Sequence, residues 1–293
     1  MSKKSLRLVG YGLTLIVVVA FAVYPSVAPL GLVSGCSPFA FVLATMVVAL
    51  AGTSTLALVR GVALRPASSE IGGRSLLGTL FFLEHACLLF ALTYLKVPVA
   101  MSLIYVYPFI IGVVGVATGG YAASVVLFGS LIVCLFGIAL VLGFSAEQIN
   151  SLGITFALLQ ALLAASRIML ASRLAQAADG LALTVQMLVV GVILGISTSP
   201  FVSLSFPGDA SGWVAILAAG ISGMVGHTCL MWALQRIGPV PFGVIMNLEP
   251  VVAAILAAVF AGQILTVPQY AGAIIVVAAV SWYGVAEKRK LGA

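Results

Sequence analysis

The sequence predicts an all-α polytopic membrane protein, with ten transmembrane helices arranged as two five-helix units of opposite orientation. Hydrophobic residues make up 63% of the chain and charged residues only 7%, whereas a soluble domain has about 25% charged residues. Ten apolar runs are each long enough to cross a bilayer. A stretch in the first half recurs in the second half, and the repeated unit holds an odd number of runs.

The ten runs are joined by short, turn-like segments, which predicts antiparallel packing of consecutive helices. A transmembrane helix needs about 20 apolar residues. The first run follows a basic start but lacks a clear cleavage site, so we interpret it as a retained helix. The predicted spans are Leu8–Pro29, Phe39–Leu58, Leu76–Leu95, Val97–Thr118, Ala122–Leu142, Leu152–Leu174, Leu181–Val202, Trp213–Arg236, Val240–Ala261 and Val267–Ala286.

Basic residues lie mainly on one side of the predicted membrane. If the N-terminus is cytoplasmic, the inner segments hold eleven of the 13 Lys and Arg residues, and the outer loops hold only Lys96. This bias follows the positive-inside rule and predicts an inner-membrane protein with both termini in the cytoplasm. The net charge of +6 therefore reflects topology rather than nucleic-acid binding.

The duplicated stretches are approximately Gly78–Pro108 and Gly220–Pro250. The chain has two histidines, His85 and His227, and they fall on equivalent positions 142 residues apart (227 − 85). We predict that residues 1–146 form the first unit and residues 147–293 the second, within one membrane domain. Inverted repeats are common in secondary transporters, whose halves exchange inward-open and outward-open shapes around a site near the midplane.

Ionisable side chains inside the spans are functional candidates, because charge is costly within a membrane. Apart from the arginine, we expect all of them to line the site. The alternatives are an interhelical hydrogen bond for each histidine and a buried pair for Glu84. For Arg167 we favour a side chain that extends to the inner interface, and the alternative is a counter-charge to one acid. The five residues are Glu84, His85, Arg167, His227 and Glu249.

Polar and aromatic residues complete the predicted substrate site. An amphiphilic solute needs aromatic faces and a few placed polar groups, which Tyr105, Trp232 and Asn247 supply inside the spans. The alternatives are helix bridging for Tyr105 and Asn247, and an interfacial position for Trp232. Pro108 and Pro250 occupy equivalent positions in spans four and nine, where we predict a hinge or gate; the alternative is simple bending.

The sequence contains no P-loop, nucleotide fingerprint, His-x-x-x-His pair or G-x-S-x-G motif. We therefore expect no enzyme activity, no cofactor, no metal and no nucleotide-driven transport by this chain alone. The four cysteines predict no disulfide framework, because three of them lie inside apolar runs where cysteine acts as a small hydrophobic residue. A monomer is sufficient for the predicted function, and the sequence does not specify the oligomeric state.

The paired stretches resemble the EamA-type drug/metabolite transporter superfamily. Phe90–Leu95 and Trp232–Ile237 carry its Ala-Leu pattern at the end of span three or eight, and Pro108 and Pro250 match its proline in span four or nine. Gln263 departs from the pattern, since the family often has glutamate there. The resemblance covers nearly the whole chain and implies a central cavity lined by eight spans, with spans five and ten peripheral.

By this resemblance, the nearest branch is similar to bacterial inner-membrane exporters of aromatic amino acids or of threonine and homoserine. The expected function is export of amino acids and related small amphiphiles by alternating access, with a small-molecule substrate and the bilayer as partners. One alternative is an exporter or flippase of cationic drugs or lipid-like compounds, which the buried acids allow. Another is an intramembrane enzyme, which would need a clustered nucleophile or a metal triad.

Overall fold

The computed structural model describes residues 3–143, 150–261 and 264–292, and every regular element in them is helical. Within these described ranges, ten segments are long and apolar enough to cross a membrane, which confirms the predicted fold class. The predicted unit boundary at residues 146 and 147 and the family departure at Gln263 both lie outside the described residues. The helices are α1 Lys3–Val33, α2 Pro38–Val59, α3 Ile71–Tyr94, α4 Val97–Ile104, α5 Tyr107–Ala117, α6 Val125–Leu142, α7 Ser151–Ala175, α8 Gly180–Thr198, α9 Ala210–Ile237, α10 Pro239–Met246, α11 Glu249–Ala261 and α12 Val267–Gly292.

Helix α1 is longer than the sequence predicts, because it continues through Pro25 and Pro29 to Val33. Proline is tolerated in membrane helices where neighbouring groups compensate for its missing N–H, and α1 packs extensively along α9. The helix ends shortly before Gly35, whose φ of 87° lies in the left-handed region that favours glycine.

The pairing of helices relates the two halves of the chain. Helix α1 packs against α9, and their equivalents α7 and α3 also pack together. Exchanging each helix for its equivalent in the other half also turns the α2–α9 contact into the α8–α3 contact. The α2–α8 and α6–α12 contacts each join two equivalent helices. This approximate two-fold relation is the one expected of a repeated five-helix unit.

Two equivalent glycines have the same packing role. A Cβ atom placed on Gly220 of α9 would lie 2.5 Å from Val48 Cβ of α2, and one on Gly78 of α3 would collide with Val190 of α8. Both glycines and both valines are 142 positions apart (220 − 78 and 190 − 48). Small residues at these crossings let the helix backbones approach closely.

Replacing Gly220 with valine is expected to lower the free energy of unfolding by about 1–3 kcal/mol, as overpacking does in other cores. Gly12→Val in α1 is the matched control, since a Cβ at Gly12 meets nothing within 4 Å. Unfolding in mixed micelles with increasing dodecyl sulfate measures both variants. Equal loss of stability would show that valine in a helix, and not the contact with Val48, causes the effect.

The connecting segments gather at the two ends of the bundle as the predicted topology requires. At the predicted outer end, the Ser37 hydroxyl donates to Ser203 O at 3.0 Å and joins the α1–α2 and α8–α9 connections. At the predicted cytoplasmic end, Tyr121 donates to Ile237 O at 3.0 Å. Burial raises the pKa of Tyr121 to about 12, so its hydroxyl remains protonated and able to donate.

Two ion pairs also lie at the predicted cytoplasmic end. Arg7 of α1 and Glu287 of α12 are 2.9 Å apart. Arg74 of α3 contacts Glu70 at 2.6 Å and donates to Gln186 of α8 at 2.6 Å. These contacts hold helices from both halves together at that end of the bundle.

Candidate functional site

Spans four and nine are each interrupted at equivalent positions. Helix α4 ends at Ile104 and α5 begins at Tyr107, while α10 ends at Met246 and α11 begins at Glu249. The offset is again 142 residues (246 − 104 and 249 − 107). One backbone hydrogen bond at the first interruption, from Val106 N to Leu103 O, and two at the second connect residues three apart instead of four. Both breaks therefore leave helix ends inside the bundle.

Pro108 and Pro250 are the second residues of α5 and α11. Because proline has no N–H, the carbonyls of Ile104 and Met246 lose their usual intrahelical donor. Interrupted membrane helices with free backbone groups are common at binding sites near the midplane. The geometry places both prolines where a hinge could act, and their role as hinge or gate stays a prediction.

Glu84 of α3 and Arg167 of α7 form a buried ion pair between the two halves. Arg167 Nε lies 2.8 Å from Glu84 Oε1, and the side chains are 6% and 5% exposed. The Nε–H is not aligned with that oxygen and makes no hydrogen bond to it. Nη1 of Arg167 and Oε2 of Glu84 also lack a hydrogen-bond partner among the described residues. Unpaired buried polar groups are costly, and the pair therefore has free capacity for a polar ligand or water.

Phe81 of α3 lies beside this pair and connects it to both histidines. Its ring centroid is 5.7 Å from Arg167 Cζ, 4.6 Å from the His85 ring and 5.0 Å from the His227 ring. Phe21 of α1 contacts the His227 ring as well, at 4.9 Å. The histidines are thus joined through an aromatic ring, and the described residues contain no hydrogen bond between His85 and His227.

His85 and Glu84 have different surroundings, as adjacent residues of one helix must. His85 Nδ1 lies 2.8 Å from Phe81 O, so this nitrogen carries the proton that the carbonyl accepts. The His85 side chain is 24% exposed and lines a small apolar pocket between α2, α3 and α8. Of the two, Glu84 is the residue that pairs with Arg167 of the second half.

Glu249 is the first residue of α11, where the helix N-terminus favours negative charge. Tyr105, from the interruption in span four, lies close enough to its carboxyl group to interact electrostatically with it. Tyr107 is close enough to Glu249, Arg167 and Glu84 to interact electrostatically with all three. Both tyrosines are buried, whereas Glu249 remains partly exposed. We call the ion pair, Phe81, the two histidines, Glu249 and the two tyrosines the central cluster.

Two predicted site residues are placed differently. Asn247 is 1% exposed, and its amide donates to Gly243 O at 3.3 Å and Val244 O at 3.0 Å. These bonds close the end of α10 and occupy the donor group of the side chain. Trp232 lies more than one turn beyond His227 on α9 and lines a separate pocket near the predicted cytoplasmic end.

Arg167 belongs to the central cluster, and the interpretation that it extends to the inner interface is wrong. Its side chain is buried and its charge is balanced by Glu84. The sequence feature that could have indicated its burial was its position deep within span six. Sequence reasoning does not assign Phe81 or Tyr107 to the site: a phenylalanine in an apolar run gives no signal, whereas Tyr107 could have been found as the repeat equivalent of Glu249 (249 − 107 = 142).

The sequence model of the EamA-like transporter family matches residues 151–284. This domain places the protein in the drug/metabolite transporter superfamily. Among 29 matching chains of solved structures, one crystal structure aligns over 97% of this chain and 99% of its own, with a TM-score of 0.78 and 19% identity. At that identity, the likeness shows the fold alone. A comparison with curated proteins gives no match.

The family assignment gives the central cluster its functional context. Members of the EamA-like family are transporters rather than enzymes, and the ten apolar helices describe a multi-pass membrane protein. The chain is accordingly a membrane transporter of small molecules.

Proposed function

We propose that this transporter exports amino acids and related small amphiphiles across the inner membrane by alternating access. The central cluster carries the proposal, because it combines one cation, two carboxylates and aromatic rings, and because Tyr105, Tyr107 and Glu249 lie at the interruptions of two helices. A free amino acid has a carboxylate and an ammonium group, and the aromatic amino acids also have a flat apolar side chain. The cluster is complementary to all three features.

Arg167 is the proposed anchor for the substrate carboxylate. Its Nη1 has no hydrogen-bond partner among the described residues and could donate a charge-assisted hydrogen bond to a carboxylate oxygen. Substrate binding would satisfy this donor. Phe81, which already contacts the guanidinium group, would then lie beside the bound molecule.

Glu249 is the proposed anchor for the ammonium group. The residue is partly exposed, and its carboxyl forms no ion pair with a described basic side chain. Tyr105 and Tyr107 lie beside it and would contact the apolar part of an aromatic substrate. The substrate would then connect Arg167 of the second unit, Glu249 at the break in span nine and tyrosines of the first unit.

Alternating access would use the two-fold relation between residues 1–146 and 147–293. Pro108 and Pro250 remove one backbone hydrogen bond from each interrupted span, so α5 and α11 could tilt relative to α4 and α10. Exchange of conformations between equivalent halves would close one end of the bundle while opening the other. The predicted cytoplasmic termini and the export direction rest on the charge bias and on the family resemblance.

A cationic drug or lipid-like compound is a second candidate substrate, and Glu249 is the observation that favours it. A carboxylate without a basic partner among the described residues could bind a cation with no help from Arg167. The two candidates therefore differ in their need for the arginine. Arg167 is essential for an amino-acid carboxylate and dispensable for a cation.

The purified protein in liposomes is expected to move radiolabelled phenylalanine or threonine faster than protein-free liposomes do. Efflux from preloaded vesicles measures the rate, with and without an imposed pH gradient, and Arg173→Met provides a variant that loses an exposed arginine of α7. Transport of tetraphenylphosphonium in the absence of any amino-acid transport would replace the first proposal by the second.

A further inference from the structure

A pocket at the predicted cytoplasmic end lies apart from the central cluster. It is open, has a volume of about 490 Å³, and is formed where α2 ends, α8 begins and α9 ends. Its position at three helix ends puts it at the depth of lipid head groups if the predicted topology holds. The lining residues are Arg60, Val62, Asp179, Leu181, Trp232 and Arg236.

Two guanidinium groups lie beside Trp232 in this pocket, one over its ring and the other at its main-chain carbonyl. Arg60 Cζ lies 5.7 Å from the Trp232 ring centroid, and Arg236 Nη1 donates to Trp232 O at 2.6 Å. Arg236 Nε is buried and lacks a hydrogen-bond partner within the described part of the chain. Neither arginine forms an ion pair with a described carboxylate. The pocket therefore holds two arginines that make no direct contact with a carboxylate of the described residues.

Asp179 supplies one negative charge to this pocket against the two arginines, and it is held away from an ion pair by its own helix. Its carboxylate accepts hydrogen bonds from Leu181 N at 2.7 Å and Ala182 N at 3.4 Å, and so caps the start of α8. Its charge is matched to the positive end of that helix. The pocket consequently retains a net positive character that favours an anionic ligand.

We propose that this pocket binds the phosphate group of an anionic phospholipid in the cytoplasmic leaflet. Arginine forks match the geometry of phosphate oxygens, and basic pockets at the cytoplasmic side of membrane helices bind anionic head groups. Leu58 and Val59 precede Arg60 directly and are 68% and 80% exposed. They offer the acyl chains an apolar surface, which a free phosphate ion could not use.

The test counts lipids bound to the full-length protein in a neutral detergent by native mass spectrometry. The probe is short-chain phosphatidylglycerol, compared with short-chain phosphatidylcholine and inorganic phosphate. The site variants are Arg60→Gln and Arg236→Gln. Arg65→Gln is the matched control, because Arg65 is exposed on the same α2–α3 connection and does not line the pocket.

Loss of either pocket arginine is expected to weaken phosphatidylglycerol binding about five-fold, the effect of one basic residue near an anionic head group. Arg65→Gln is expected to bind like the wild type. Equal binding of phosphatidylglycerol by Arg60→Gln and Arg65→Gln would overturn the site. Because Arg60 is exposed, the Arg60→Gln variant is expected to fold even if Arg236→Gln does not. Equally tight binding of inorganic phosphate or phosphatidylcholine would overturn the assignment to an anionic lipid.

Discussion

Replacing Arg167 with methionine is expected to lower the free energy of unfolding by about 3–5 kcal/mol, the usual effect of removing one partner of a buried ion pair. Methionine fills much of the same space but leaves the Glu84 carboxylate, 4% exposed, without its positive partner. Amino-acid transport per folded molecule is expected to be lost, because the substrate carboxylate loses its proposed anchor. Thermal unfolding in detergent and efflux from liposomes measure the two effects separately.

The double variant Glu84→Met/Arg167→Met separates the structural role of the pair from its proposed binding role. Replacement of a buried ion pair by apolar residues of similar volume is often neutral or stabilising, so most of the lost stability is expected to return. Transport is expected to remain absent. Arg173→Met, on an exposed part of the same helix, controls for the loss of positive charge and is expected to behave like the wild type in both measurements.

Two results would contradict this interpretation. Transport at the wild-type rate by the stable double variant would make the ion pair purely structural and would leave the second candidate, a cation bound by Glu249, as the better proposal. Unchanged stability of Arg167→Met would show that Glu84 does not depend on Arg167 in the folded protein.

The fold follows from the sequence because membrane helices are specified by few variables. The length and polarity of each apolar run determine a span, and the duplicated positions of His85 and His227 reveal the repeat. The interruptions of spans four and nine were harder to predict from the sequence. Pro108 and Pro250 indicate a disturbed helix, but a proline alone does not distinguish a bend from a two-residue break, as the continuous course of α1 through Pro25 demonstrates.

The partners within the central cluster could not be predicted in the same way. The rotation of each helix about its axis decides which residues face the other half, and a helix that is apolar on nearly all sides gives little sign of that rotation. The sequence therefore identified Glu84 and Arg167 as costly charges without showing that they pair. Burial of Asn247 against its own helix and the distant position of Trp232 are also consequences of rotation and helix ends.

Replacing Glu249 with glutamine is expected to reduce amino-acid transport at least about ten-fold, which corresponds to about 1.4 kcal/mol. Glutamine keeps the size of the side chain, but it offers no negative charge to an ammonium group. Little change in thermal stability is expected, because Glu249 is partly exposed. In addition, its repeat equivalent is the uncharged Tyr107, so the fold does not require a charge at this position.

Glu287→Gln is the control for Glu249→Gln, because it removes a carboxylate from the ion pair with Arg7 at the end of the bundle. Its transport per folded molecule is expected to equal that of the wild type. If both variants lose transport equally, general loss of negative charge explains the result and the proposed ammonium site is wrong. If Glu249→Gln unfolds more readily than Glu287→Gln, the carboxylate has a structural role instead.

The same variant decides where a coupling proton would be carried. If a pH gradient accelerates efflux by the wild type and has no effect on the residual efflux of Glu249→Gln, this carboxylate binds the proton and the substrate in turn. If the acceleration persists in Glu249→Gln, the proton must be carried elsewhere in the central cluster, by Glu84 or a histidine. Glu84 pairs with Arg167, and Glu249 interacts electrostatically with Tyr105. Each acid therefore lies near a group from the other half of the chain, and either one could link protonation to the exchange of the two halves.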